Sequence, residues 1–216
     1  EIAPSDWSSD VCSSDLDYID KKLEEGAIIY GLTTGFGKFA NVFIDREQTA
    51  ELQENLIISH TCGMGEPYEQ KFVRAAMLLR CNALSRGNSG IRLSTIQTMV
   101  DMLNAGIHPV VPCKGSLGAS GDLAPLSFIA LGLIGRGEVE YKGKIVPASD
   151  AMKQEGIEPV KLVAKEGLAL NNGTQMMTAV GLNVLWDAMH LAKIADIAGA
   201  LTLEALHSSK DRKSVV

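Results

Sequence analysis

Apolar residues recur at three- and four-residue spacing over most of the chain, which predicts a mainly α protein punctuated by glycine. The short apolar run 27–30 feeds a loop through Gly31, Gly35 and Gly37. Asp45 with Gln48 has capping-box spacing, and Leu52, Leu56 and Ile57 share a stripe, so a helix is expected over 46–59. Gly63, Gly65 and Pro67 break it. A second helix is expected over 68–86, with Phe72, Ala76, Leu79 and Ala83 on its buried face and Gly87 in the stop position. Ser94 and Gln97 cap a third, which turns Ile96, Met99, Val100 and Leu103 inward and halts at Gly106. His108-Pro109 to Val111-Pro112 reads as an extended linker, because a residue before proline avoids the helical region.

Beyond the loop 115–121, Asp122 opens a helix whose first turn accepts Pro125 and whose body is apolar to Ile134. Val139, Tyr141 and Ile145 alternate around Lys142-Gly143, the single hairpin pattern in the chain, near 138–147. A short helix is expected after Asp150 and another over 160–168. Asn171-Asn172-Gly173 then breaks the chain before a long helix over 174–206. Met176, Val180, Val184, Ala188, Leu191, Ala195 and Ala198 on that helix suit burial inside a helical bundle. Two regions are therefore expected: 17–170, carrying the glycine-rich loops at 31–37 and 115–121, and 171–210, the start of a long-helix bundle.

With 216 residues, 46% hydrophobic and 21% charged, the chain can bury a substantial core, which excludes intrinsic disorder. A formal charge of -6 without a basic run argues against nucleic-acid binding. The longest uncharged stretches, 123–135 and 174–186, are too short to cross a bilayer, so no membrane partner is expected. Four cysteines without a CxxC pair read as reduced thiols of a cytoplasmic protein, with no disulfide framework and no metal. Residues 1–16 are rich in Ser and Asp and resemble the translation of a sequencing adapter, as does the tail 211–216. Both are set aside from the fold as adapter-like, and the remainder is read as an open-ended fragment. Removing them takes away five acids and two bases and leaves a net charge of -3.

Chemistry concentrates in the three glycine-rich breaks at 31–37, 115–121 and 171–173. A nucleophile elbow needs G-x-S-x-G, and Asp122 stands where its last glycine would be. Gly35-Phe36-Gly37 lacks the βαβ surroundings of a dinucleotide fingerprint, and Phe39 after Lys38 excludes a phosphate-binding P-loop. The bland reading of 115–122 is a tight loop in which Asp122 or Ser120 caps the next helix. That reading does not account for Ala119-Ser120-Gly121 among further glycines. A glycine nitrogen, unhindered by a Cβ, can attack the carbonyl carbon two residues back and close a five-membered ring, after which Ser120 can lose water to leave an electron-poor exocyclic alkene.

Gly118-Ala119-Ser120-Gly121-Asp122-Leu123-Ala124-Pro125-Leu126 resembles the signature of the aromatic amino acid ammonia-lyases, whose prosthetic group is 4-methylidene-imidazole-5-one (MIO). Residues 30–37, YGLTTGFG, resemble that family's tyrosine loop, and 166–175, EGLALNNGTQ, its asparagine loop. The resemblance implies the helical-bundle fold of the aspartase/fumarase-like superfamily. It makes Ala119, Ser120 and Gly121 the precursors of MIO, with Asp122 supporting its formation and no metal or nucleotide required. Tyr30 would be the catalytic base, which needs a site favouring phenolate to take a β-proton near neutrality. Asn172 would hydrogen-bond around MIO or substrate, although Asn171 beside it departs from the apolar residue usual there. Gly37 would line the site through its backbone.

Ser59-His60 resembles the selectivity pair of the histidine-specific members, where a pocket imidazole would bind the substrate imidazole. Its bland alternative is a His capping its own helix. The resemblance therefore implies elimination of ammonia from L-histidine to trans-urocanate, by a homotetramer whose sites borrow residues from neighbouring subunits. Another MIO enzyme, acting on phenylalanine or tyrosine or working as an aminomutase, stays open, as does a non-catalytic assembly subunit.

Overall fold

The computed structural model describes residues 17–208 apart from positions 20, 23, 32, 36, 38–40, 42–47 and 118–120. Its elements are mainly helical, as expected. Helix α1 spans Thr49–His60, strand β1 Met64–Pro67, α2 Gln70–Leu84 and α3 Leu93–Asn104. Strands β2 (His108–Pro109) and β3 (Pro112–Lys114) lead to α4, Leu123–Leu133. The hairpin β4 (Glu138–Tyr141) and β5 (Lys144–Pro147) precedes α5 (Ala148–Gln154), α6 (Glu166–Asn171) and α7 (Gln175–Ala205).

Helix α4 is the centre of the packing. It is apolar nearly all round and buries Ala124, Pro125, Leu126, Ser127, Ile129, Ala130, Gly132 and Leu133 against α1, α6 and β2. Gly132 lets the Pro109 ring approach, since a Cβ there would lie 2.7 Å from Pro109 Cγ. Helices α2 and α3 pack on each other, and Met77, Leu84, Ile96, Met102, Leu103 and Ile129 are fully enclosed in the shared core. Gly121 and Asp122 thus lead directly into a largely buried helix.

Helix α3 buries Ile96, Met99, Val100 and Leu103 as the spacing predicted. Its N-terminus is satisfied differently: no side chain of its own caps it, and the distant Glu166 carboxylate accepts from Arg92 N–H at 3.1 Å and from the Thr95 hydroxyl at 2.7 Å. On α2 the buried stripe is Val73, Ala76, Met77, Arg80, Cys81 and Leu84. Of the expected face only Ala76 is fully buried, while Phe72, Leu79 and Ala83 are half-buried, because the helix is turned to put a charged Arg80 inward. Helix α1 starts at Thr49 without a side-chain cap, and Asp45 lies outside the described residues.

The hairpin forms as expected, with Lys142 at φ 50° and Gly143 at φ 74°, the two positive values a type I′ turn requires. Strand β2 adds to it as a third strand, and β1 pairs antiparallel with β3, Met64 opposite Lys114 and Pro67 opposite Pro112. The stretch 63–67 is therefore a strand as well as a break. Helix α5 begins at Ala148, ahead of Asp150. The helix expected over 160–168 begins only at Glu166, because the chain enters it through Lys165 at φ 71°, which no continuous helix can cross.

The chain divides into two compact units after Ala179. In the first, α7 buries Met176 and Ala179. In the second, Leu182, Val184, Leu185, Trp186, Leu191 and Ile194 are each more than half exposed, so the positions expected inside a bundle, Val184 and Leu191 among them, face solvent in this chain alone. No described helix is long and apolar enough to cross a membrane.

Candidate active site

Two of the three glycine-rich breaks, at 115–121 and 171–173, meet at the N-terminal end of α4, and the described contacts of the 31–37 loop stay within its own segment. Gly121 has φ 112°, a conformation for glycine, and a Cβ on it would lie 2.6 Å from the Gly173 carbonyl oxygen. That oxygen accepts the Asp122 N–H at 2.6 Å. The end of the Ala-Ser-Gly tripeptide is thereby locked to the Asn172-Gly173 turn. Ala119 and Ser120 themselves lie outside the described residues. On the other flank, a Cβ on Gly115 would come within 3.0 Å of Gly63 Cα, so the segment following His60 lies against the start of the same loop.

Asp122, 3% exposed, does not cap α4, which it precedes. Its Oδ1 accepts the Ser116 hydroxyl at 3.0 Å, and its Oδ2 accepts Met177 N–H at 2.8 Å in the first turn of α7. One carboxylate thus braces both ends of the 116–122 loop and neutralises an orphan donor of the long helix.

Of the two adjacent amides, Asn171 is fully buried and donates through Nδ2 to Ser127 Oγ at 3.3 Å on α4. Asn172 is exposed, and its backbone is held instead: its N–H donates to Leu168 O and its carbonyl accepts from Arg80. The asparagine in the apolar position of the motif has become a packing residue, leaving the Asn172 side chain free of the core.

His60 ends α1. Its Nδ1 stands 2.8 Å from Leu56 O and 3.2 Å from Ser59 Oγ. A carbonyl only accepts, so Nδ1 carries the hydrogen and Nε2 is the ring nitrogen left for another partner. The capping geometry and a recognition role are therefore compatible, because the helix carbonyl sets the tautomer that a substrate N–H would need. Ser59 donates its hydroxyl to the same carbonyl at 2.9 Å.

Around Tyr30 the loop is built from its own threonines. Buried Thr33 accepts Ile29 N–H and donates to Ala27 O, both at 2.9 Å, while Thr34 accepts Gly31 N–H at 3.3 Å. The Tyr30 hydroxyl accepts Gly37 N–H at 3.1 Å, and the ring is 54% exposed, which leaves the phenol reachable from solvent. Gly37 has φ 56° with open space where a Cβ would be.

Sequence reasoning missed two buried charges, one at each end of α6. Glu166, fully buried, accepts from Arg92 Nη2 at 2.7 Å, Thr95 and Val163 N–H. Arg80 donates to the carbonyls of Ala169 and Asn172 and to Gln175 Oε1. A charged residue at a core position of the α2 stripe was the available signal for Arg80. For Glu166 there was none, since the side chains it binds, Arg92 and Thr95, lie some seventy positions away in sequence. Among the described residues no cluster of metal-ligating side chains occurs.

A sequence model described as aromatic amino acid lyase matches residues 2–214. The histidine ammonia-lyase of Alkaliphilus oremlandii (strain OhILAs) is 59% identical over 187 residues, 87% of this chain and 37% of that protein. Among solved structures, the histidine ammonia-lyase of Trypanosoma cruzi superposes with a TM-score of 0.86 at 39% identity, covering 93% of this chain and 38% of the other. The phenylalanine aminomutase of Pantoea agglomerans gives a TM-score of 0.87 at 34% identity, covering 92% and 38%. The chain thus spans little more than a third of the length of these relatives.

Proposed function

The chain belongs to the aromatic amino acid lyase family and has its mainly helical fold, and from that membership we propose that the complete protein eliminates ammonia from L-histidine to give trans-urocanate. The observation that carries this reading is the hydrogen bond from Asp122 N–H to Gly173 O, which supports it by setting Gly121, the last residue of the cyclisable tripeptide, beside the Asn172-Gly173 turn. The residues present fit an MIO group: Gly121 has the positive φ and the missing Cβ that ring closure through its nitrogen needs, and Asp122 and Ser116 brace the loop. Ala119, Ser120 and Gly121 would hold it as part of the chain. Once formed, it supplies an electron-poor alkene toward which the substrate amine is drawn, making nitrogen a better leaving group.

The side chains then divide the remaining work. Tyr30, whose hydroxyl accepts the Gly37 N–H, takes the β-proton as the C–N bond breaks. His60 accepts the substrate imidazole N–H at Nε2, with Ser59 helping to orient the ring. Asn172 hydrogen-bonds the substrate or the prosthetic group. Full sites require the rest of the chain and neighbouring copies in a homotetramer. Free Cys62, Cys81 and Cys113 suit the reducing cytoplasm.

Intact mass and product absorbance test this together. The complete gene product should weigh two waters less than its gene encodes and form urocanate, and Ser120→Ala should abolish both. Full encoded mass in the unsubstituted protein would overturn the reading. The likeness to an aminomutase supports a second reading, isomerisation with nitrogen retained, which would appear as a β-amino acid without free ammonia.

A further inference from the structure

Arg80 lies on the core face of α2, 5% exposed, and makes no ion pair among the described residues. Desolvation pushes its guanidinium down to about 10, so it is still charged at neutral pH. A buried cation needs compensation. Here it comes from backbone: Nη2 donates to Ala169 O and, at 2.9 Å, to Asn172 O, the carbonyls that close α6, while Nη1 donates to Gln175 Oε1 at 2.7 Å in the first turn of α7. Gly173 sits between these anchors, and a Cβ on it would collide with Nη1 and with Gln175 Oε1. The turn is built around the guanidinium fork.

Resting on the lyase reading, we propose that Arg80 is a positioning residue, a three-point clamp that fixes the 172–173 turn so that the Gly173 carbonyl is held against Gly121 and the Asn172 backbone is fixed beside it. It touches neither substrate nor reacting atoms. Its effect passes through two backbone groups, the Asn172 carbonyl it binds and the Gly173 carbonyl that receives Asp122 N–H. A planar fork can satisfy three acceptors in fixed directions, whereas an ammonium cannot reproduce that geometry.

The test uses the complete gene product with Arg80→Met and Arg80→Lys, compared with Arg92→Met, which breaks the ion pair at the opposite end of α6. Melting temperature, the fraction of chains lacking two waters, and kcat and KM on L-histidine are measured for each. Expected is a fall of roughly 10- to 100-fold in kcat or in the dehydrated fraction for Arg80→Met, with KM within about threefold and partial recovery in Arg80→Lys. Arg92→Met should lower the melting temperature and leave turnover and dehydration near the parent. The clamp is overturned if folded Arg80→Met dehydrates and turns over like the parent, or if Arg92→Met loses both in proportion to stability. Should Arg80→Met be insoluble, Gln175→Met removes one anchor, and an unchanged kcat there overturns the clamp. An unsubstituted protein that neither loses water nor makes product sinks the lyase reading itself and the clamp with it.

Discussion

At Gly121 a missing Cβ decides whether two loops can meet. Gly121→Ala would drive a methyl into the Gly173 carbonyl and strain a φ of 112°, so a loss of about 2–4 kcal/mol is expected in denaturant unfolding, together with loss of the two-water mass deficit. The residue types for this chemistry were readable in order along the chain, because Ala-Ser-Gly can cyclise from local geometry alone. What local pattern could not show was which neighbour each touches. Asp122 looked like a cap for its own helix and braces α7 instead; Asn172 is the asparagine the motif favours for the site, and packing shows what its neighbour does, since Asn171 is buried against Ser127. A further residue-scale effect concerns His108, buried with Arg74 Nη1 3.3 Å from its Nε2 and the Gln70 amide 2.9 Å from its Nδ1. Desolvation, with the Arg74 charge, pushes it down to about 4. Between about pH 6.5 and 4 the unfolded chain binds a proton that the folded chain refuses, so stability is full above that window and falls as pH drops through it, by on the order of 3 kcal/mol. His108→Gln should flatten this part of the melting-temperature profile; an unaltered profile would contradict the assignment.

Helices with a strong period were legible, and short elements were not. Helix α3 buries the residues its spacing named, and α4 is continuous from Asp122 because its apolar surface has neighbours on every side. Strands β1 and β3 are only four and three residues long, too short for alternation to register, and exist because each finds the other across the chain. Helix α6 likewise owes its start to Glu166, whose carboxylate ties it to the N-terminus of α3. Glu166→Ala should cost about 3–5 kcal/mol, since it leaves Thr95, Arg92 and two backbone N–H groups without their acceptor. Faster amide exchange confined to α6 and the first turn of α3 would show that the loss is local to this tie.

On the scale of the whole molecule, the second unit presents Leu185, Trp186, Leu191 and Ile194 to water, an apolar surface of the kind that marks burial in a larger assembly. The 216-residue polypeptide purified alone is therefore expected to bind a hydrophobic dye, to associate with rising concentration and to form no urocanate; a monodisperse, dye-negative monomer would refute this. The sequence alone determined the helical class, the hairpin and the order of the three glycine-rich loops, since these depend on periodicity and on residues adjacent in the chain. Tertiary structure alone decided the rest: the inward turn of Arg80, the trans cap by Glu166, the split between the two asparagines and the contact of Gly121 with Gly173. Each of those joins groups more than forty positions apart, and a buried charge or carbonyl acquires its partner only when the core closes around it.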